Sequence, residues 1–254
     1  MISFCTLARD TPHLEKLIDM FKKNCPGEHE ICIGDNSTKP EFIKQYKELA
    51  DVYVRIEDKE LFRMGIPWGH NRVTAMANSN KIFYLDSDEY PVWINPHIEG
   101  MFDINYVIGT VRFDFVEMDE ILKIDKTIDN NSETFPQLDL KEPLSENPHH
   151  QDRIYNSRYV QFNGVCHATF HVPEGIGMRQ NAPSVIILHN RTVRDAKDLD
   201  RMRDIIREQY SRMLVNPLLS SSPVVFGWAK EWKKSMPTKL HKFETFEEFK
   251  EAYD

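Results

Sequence analysis

Two acids two positions apart, Asp86 and Asp88 of Asp86-Ser87-Asp88, directly follow the apolar run Ile82-Phe83-Tyr84-Leu85. In extended backbone such a pair shares a face and can jointly hold a hard divalent cation, with Ser87 directed the other way. Glu89 lengthens the acidic run. Acids at the exit of a buried strand stand where open α/β sheets keep their chemistry. Short Asp/Ser/Glu runs also end strands simply because they turn well and face water, so the surroundings must decide.

Several other groups can reach the same edge. Asp35 follows Ile31-Cys32-Ile33-Gly34, and Arg9 and Asp10 follow the first apolar segment, Met1 to Leu7. A carboxylate placed like Asp35 can accept hydrogen bonds from a base or ribose. Equally, Asp35-Asn36-Ser37-Thr38 has the composition of a turn that caps a helix. His189 ends Val185-Ile186-Ile187-Leu188 as abruptly as Asp86 ends its run. An imidazole there is a candidate third metal ligand, or a hydrogen-bonded structural histidine. His167 lies in the β-prone Gly164-Val165-Cys166-His167-Ala168, with His171 on the same face if that run stays extended. Arg153, Arg158, Arg191 and Arg194 bracket these histidines and carry the forked guanidinium that compensates phosphate charge.

Strands and helices alternate over the first half. After the first strand, Leu14, Leu17, Ile18 and Phe21 recur at helical spacing, predicting a helix over 13–23 that Cys25-Pro26-Gly27 ends. A strand over 30–34, a helix from Pro40 to about Ala50 and a strand over 52–56 follow. A mixed segment holds Met64-Gly65-Ile66-Pro67-Trp68-Gly69, then a helix over about 70–77 leads to the strand Lys81 to Leu85. Trp68 and His70 stand ahead of that helix, as core packing or as a cover for a bound donor. The alternation predicts a mostly parallel, mixed central sheet with right-handed crossovers and flanking helices. No G-x-G-x-x-G follows the first strand, which disfavours a dinucleotide fold.

The second half is less regular. Tyr106 to Phe115 reads as a strand near the acidic turn, and Asp125 to His150 as loops and short elements. Arg153 to Tyr159 and Val160 to Val172 read as strands broken by the turn signal Asn163-Gly164. A helix is predicted over 198–214. Beyond it, Trp228, Trp232, Lys230, Lys233 and Lys234 form a basic-aromatic segment, and Phe243, Phe246 and Phe249 mark a closing helix. The expected division is one domain over 1–215, with halves at about 1–115 and 116–215, and a helical extension over 216–254.

The 254 residues carry a formal charge of −8, which offers no global attraction for nucleic acid. None of the four cysteines is spaced as C-x-x-C. No leader-like stretch opens the chain and no segment reaches membrane-spanning length, so a reduced, cytoplasmic protein is expected.

The ordered set Ile2 to Arg9, Ile31 to Ser37, Gly69-His70-Asn71-Arg72-Val73-Thr74-Ala75-Met76-Ala77 and Tyr84-Leu85-Asp86-Ser87-Asp88-Glu89 resembles the first half of the GT-A glycosyltransferases, specifically the family 2-like inverting enzymes. The resemblance implies a GT-A-like nucleotide-binding fold and transfer of a sugar from a nucleoside-diphosphate sugar to an acceptor hydroxyl. It implies that Asp35 contacts the base or ribose, that Asp86 sits near the donor sugar or ribose and that Asp88 coordinates Mn²⁺ or Mg²⁺; from their positions Asp86 and His189 are expected to assist at the metal, and Arg9, Arg72 and Arg191 to line the donor with Asp35 and Asp86. Over the second half, Arg153-Ile154-Tyr155, Gly164-Val165-Cys166-His167-Ala168 and Leu188-His189-Asn190-Arg191 are similar to a family pattern in which an acid occupies the position of Ala168. Alanine cannot take a proton, so an inverting enzyme must draw its general base from His167, Asp152 or another acid such as Glu174. A retaining enzyme of the same fold, a nucleotidyltransferase, and a nucleotide-sugar-binding protein on a degenerate scaffold are the alternatives. Acceptor candidates are a glycan, a lipid-linked or small-molecule hydroxyl, and modified nucleic acid. The basic-aromatic segment is a candidate for peripheral membrane contact.

Overall fold

The structure, a computed structural model, describes residues 1–114, 116–138, 140, 149–165, 169–171, 178–190, 196–235, 243 and 245–253. The chain divides into two compact units. The first comprises Met1–Arg55, Val73–Val160 and Val172–Val193; the second comprises Ile56–Arg72, Gln161–His171 and Arg194–Asp254. Within this grouping the long helix over 196–215 falls with the C-terminal residues.

The first unit is built on an eight-stranded mixed sheet. Its strands are β1 (Ile2–Ala8), β2 (His29–Asp35), β3 (Val52–Arg55), β4 (Lys81–Tyr84), β5 (Glu89–Ile94), β6 (Asn105–Asp114), β7 (His149–Asn156) and β10 (Met178–His189), in the order β3-β2-β1-β4-β7-β6-β10-β5. Pairings among β3, β2, β1 and β4, and between β6 and β10, are parallel; β7 and β5 run antiparallel to their neighbours. Helices α1 (Leu14–Asn24) and α2 (Pro40–Leu49) make the expected crossovers. On α1 the buried Leu14, Leu17, Ile18 and Phe21 lie at helical spacing. Phe21 packs on Phe4 of β1 and Phe83 of β4, with centroids 4.7 and 5.1 Å apart. Such tilted and edge-on aromatic contacts fasten helix to sheet.

The acidic edge and its neighbours differ from what the sequence pattern suggests. The acidic tripeptide is not extended: Asp86 to Asp88 form a turn, closed by the Glu89 amide donating to the Asp86 carbonyl at 3.0 Å. The chain then enters β5, a buried strand that carries Pro91. Proline is tolerated there because β5 is an outer strand with a single hydrogen-bonded neighbour, and the β10 register shifts opposite it. Helix α6 (Met118–Thr127), after the short α5 (Ile98–Met101), reaches only three residues into the stretch read as irregular from Asp125. Gly109 lets β6 approach β10 closely, since an added Cβ would stand 2.4 Å from the Ala182 carbonyl oxygen.

Over 58–74, where a mixed segment before a helix at 70 is expected, lie α3 (Asp58–Met64), in the second unit, and α4 (Ile66–Thr74), which belongs to that unit as far as Arg72. Gly65, at φ +87°, separates them in the left-handed region that favours glycine. Gly164, at φ +87°, follows the short strand β8 (Gln161–Asn163), which pairs with β9 (Thr169–His171) outside the main sheet. Helices α7 (Ala196–Val215), α8 (Pro223–Ser235) and α9 (Phe246–Tyr253) complete the unit. Val225 and Ala229 of α8 pack with Tyr210 and Met213 of α7. Phe249 of α9 meets Phe62 of α3 at 5.0 Å. Arg201 of α7 is buried and bonds Asp58 at 2.7 Å.

Candidate functional site

Strand pairing within the first unit concentrates charge at one edge. His189, the last residue of β10, lies opposite Asp114 on β6 and opposite Glu89 on β5. Two backbone bonds fix this corner: the Asn190 amide donates to the Asp88 carbonyl at 2.9 Å, and the Val116 amide donates to the His189 carbonyl at 3.1 Å. His189 Nδ1 is 2.7 Å from Asp114 Oδ1, and its Nε2 faces Asp88 Oδ2 at 3.4 Å. All three side chains are buried. Burial opposes protonation of His189, but the hydrogen bond and charge of Asp88, reinforced by Glu89, outweigh it and raise the imidazole pKa above its ordinary value.

Glu89 is the hub beneath this pair. Its carboxylate is fully buried and accepts from Arg112 Nη1 at 2.7 Å and Arg153 Nη2 at 2.8 Å. Its second oxygen accepts the Asp86 amide at 3.0 Å, so Glu89 also holds the acidic turn. Arg153 Nη2 reaches Asp86 Oδ2 at 2.6 Å as well, while Arg112 Nε lies 2.9 Å from Asp114 Oδ1. Buried carboxylates are tolerable here because two guanidiniums supply both charge and directed donors. Ser87 faces the β1 exit, where the Thr11 hydroxyl donates to its Oγ at 3.1 Å.

The structure thus brings Asp88 and His189 together as expected, whereas Asp86 turns to Arg153. Among the described residues no group of three or more His, Cys, Asp or Glu is arranged to hold a metal ion. Asp35 is fully buried: one oxygen accepts the Ser37 amide, and the other takes the Tyr53 hydroxyl at 2.5 Å and Arg55 Nη1 at 3.1 Å. Arg9 donates to the Asn36 carbonyl at 3.0 Å, alongside the Asp35 turn. Asp10 accepts from Thr38 and the Lys39 amide just ahead of α2. Asp152 is half-buried on β7, beside Arg153 in the chain. Arg72 is exposed in the last turn of α4, and in the second unit His70 packs edge-on against Phe162 at 5.2 Å. His167, Ala168, Glu174, Arg191 and Arg194 lie outside the described residues.

Arg112 and Asp114 are the site residues that sequence reasoning missed. They occupy alternate positions of one strand-like run, and that spacing was their only signal. Their partners are set by pairing with β10, some 75 residues later in the chain.

No protein-family model and no curated protein sequence matches the chain. Among solved structures, the fold is similar to S. aureus TarS 1-349 in complex with UDP-GlcNAc, with TM-score 0.41 and 12% identity over 84% of this chain and 66% of that one. It is also similar to S. aureus TarS 1-349 in complex with UDP, with TM-score 0.37 and 13% identity over 82% and 65%. A structure of S. aureus TarS gives TM-score 0.37 and 12% identity over 81% of this chain and 39% of that one. The chain spans less than two thirds of the length of each.

Proposed function

We propose that the chain transfers a sugar from a nucleoside-diphosphate sugar to an acceptor hydroxyl, using Mn²⁺ or Mg²⁺ held by Asp88 and His189. The observation that carries this reading is the His189 ring, set between Asp114 at 2.7 Å and Asp88 at 3.4 Å. An Nδ1–H held by a carboxylate fixes the tautomer and turns the Nε2 lone pair outward, the outer-carboxylate arrangement of metal-bound histidines. Charge supports it too. With His189 neutral, four acids (Asp86, Asp88, Glu89, Asp114) face two guanidiniums (Arg112, Arg153), a shortfall that one divalent cation matches.

When bound, the cation would neutralise charge developing on the leaving diphosphate. The chain's own residues prepare that position. Asp114 orients the imidazole, Arg112 holds Asp114 and Glu89, and Arg153 holds Asp86 and Glu89, so the acidic turn is fixed before a donor arrives. Asp86 is the more open of the two motif acids, its side chain 29% exposed against 4% for Asp88. It therefore suits contact with the donor sugar or ribose. Asp35 fixes Tyr53 and Arg55 at the β2 exit, and these with Arg9 suit the nucleoside. For inversion, Asp152 or His167 takes the acceptor proton, directly or through one water. A glycan, lipid-linked or small-molecule hydroxyl is the acceptor class.

The raised pKa of His189 favours one competing arrangement, in which an imidazolium bridges Asp88 and Asp114 and no metal is held. Calorimetric titration with a panel of nucleoside-diphosphate sugars, with Mn²⁺ and then with chelator, separates the two. Metal-dependent binding is expected. Nucleoside-diphosphate release should fall on the order of a thousandfold in Asp88→Asn while the melting curve is kept. Equal donor binding with chelator removes the metal; wild-type turnover by the folded variant removes the site. Pyrophosphate release would mark a nucleotidyltransferase, and binding without turnover a binding protein.

A further inference from the structure

We infer that β3, an outer strand of the main sheet, pairs with the same strand of a second copy of this chain, antiparallel and with Tyr53 on the two-fold axis. The inference does not depend on the transfer reaction. The sheet has two outer strands, and they are finished differently. Strand β5 is buried along its whole length and carries Pro91, a residue that blunts an edge. Strand β3 has neither protection. Val52-Tyr53-Val54-Arg55 holds no proline, glycine or bulge, and the exposed Asp51 and Arg55 flank it. Among the described residues β2 is its one neighbouring strand. The Asp51 amide donates to the Ile31 carbonyl of β2 at 2.9 Å, so by alternation Tyr53 and Arg55 also turn their backbone groups to β2. Those of Val52 and Val54 face outward. Amides and carbonyls repeated at every second residue of an open edge form a template for another strand.

Self-complementarity selects the occupant. The outward groups belong to even-numbered residues, so two copies can bond only in registers that set even against even. With Tyr53 on the axis, Val52 exchanges backbone bonds with the partner's Val54, and Asp51 lies opposite the partner's Arg55 at both ends. Tyr53 meets the partner's Tyr53 at the non-hydrogen-bonded position, where strands approach most closely. Opposite charges, β-branched pairs and aromatic pairs are the cross-strand neighbours that stabilise such a ladder. Moving the axis to Val54 would set Asp51 against the partner's Glu57, two acids face to face. Moving it to Val52 would set Arg55 against the partner's Leu49, which lies in α2 beyond the strand. An unrelated extended peptide would meet the same backbone without matching the charges. Asp51 accepts the Ile31 amide at 2.8 Å and Arg55 holds Asp35 at 3.1 Å, so both charges are fixed before a partner arrives. A two-fold contact closes on itself and gives a dimer, not a filament. Four residues a side make a small contact, so the dimer is weak and fills as concentration rises.

Sedimentation velocity of the full chain at concentrations up to about 1 mM, the affinity of a weak complex, should show monomer giving way to dimer. Asp51→Lys alone and Arg55→Glu alone each set like charges together at both ends, and each should weaken the dimer roughly tenfold. Mixing the two variants sets opposite charges together again and should restore the dimer, which a folding defect in either would not do. Hydrogen exchange reads the unaltered chain: the Val52 and Val54 amides should exchange fast when dilute and slowly when concentrated, while the Tyr53 amide stays protected throughout. With oxidised glutathione, Tyr53→Cys should form an intermolecular disulfide and Val54→Cys should not. A monomer over the whole range overturns the proposal, as does a mixture no tighter than its parts. Cross-linking through Val54→Cys in place of Tyr53→Cys overturns the register. Protection of Val52 and Val54 that does not change with concentration would mean that another part of the same chain covers the edge, and overturns the pairing as well.

Discussion

Two edges of the same sheet bury carboxylates in opposite ways. At the amino ends of β1, β2 and β4, Glu30 accepts from the Ser3 hydroxyl, the Asn78 amide and side chain, and the Ser79 amide. Its partners are neutral hydrogen-bond donors. At the carboxyl edge, Asp86, Asp88, Glu89 and Asp114 are held by Arg112, Arg153 and His189. The first arrangement satisfies one carboxylate and ties three strands together, leaving nothing for a ligand to exchange. The second crowds like charges, which repel unless a cation stays among them. Burial alone therefore does not mark the site; several acids crowded around shared cations do.

The sharpest way to break this contrast is Arg153→Met. It keeps the apolar stem and removes the charge shared by Asp86 and Glu89. Losing one partner of a buried pair leaves the other uncompensated, at a cost of about 3–5 kcal/mol. Denaturant unfolding should show that loss, and added divalent cation should restore part of it if the site holds metal. A variant as stable as wild type would mean that the acids at this edge are not coupled through Arg153.

Much of the contrast was invisible in the sequence. β1, α1, β2 and α2 were legible because their apolar spacing is local, and Pro40 marked the start of α2. Asp88 and His189 were legible as abrupt polar ends of apolar runs. Strand β5 was not, because Pro91 reads as a breaker unless the strand is known to be at an edge. Arg112, Asp114 and the hub role of Glu89 depend on β10 lying between β6 and β5, a non-local pairing that no window along the chain contains. The contact of Asp86 with Arg153 depends on the turn at 86–89, whereas the two-residue spacing alone suggests an extended pair on one face.

Glu30 gives the opposite edge its own test, with a defined sign. Burial pushes its pKa up, but the bonds from Ser3, Asn78 and Ser79 outweigh that, and the net shift is downward. A carboxyl whose folded pKa is depressed binds fewer protons in the native state, so its stabilisation is present above the unfolded value and is lost as pH falls through the folded one. Glu30→Gln should cost about 1–2 kcal/mol at neutral pH by giving up charge-assisted bonds from Ser3, Asn78 and Ser79. The gap between wild type and variant should narrow on acidification below about pH 4, close to the unpaired glutamate value. Midpoints measured across that range check it, and a gap that widens in acid would reverse the assigned direction.

The smallest effect tests whether Asp35 belongs with Glu30 or with the charged edge. It is a mixed case: its partners are the neutral Tyr53 hydroxyl and Ser37 amide on one side and the Arg55 guanidinium, 36% exposed, on the other. Burial, followed by the hydrogen bond to Asp35, raises the Tyr53 hydroxyl to about 12, so the phenol stays protonated as a donor throughout the working range. Tyr53→Phe removes that donor and leaves Asp35 to Arg55 and Ser37, at a cost of about 1 kcal/mol. If Asp35 is purely structural, like Glu30, donor affinity should be untouched while stability falls by that amount. If Asp35 and Tyr53 together order Arg55 for the nucleoside, binding of the nucleoside diphosphate should weaken several-fold with the same small loss of stability, placing Asp35 on the functional side of the comparison.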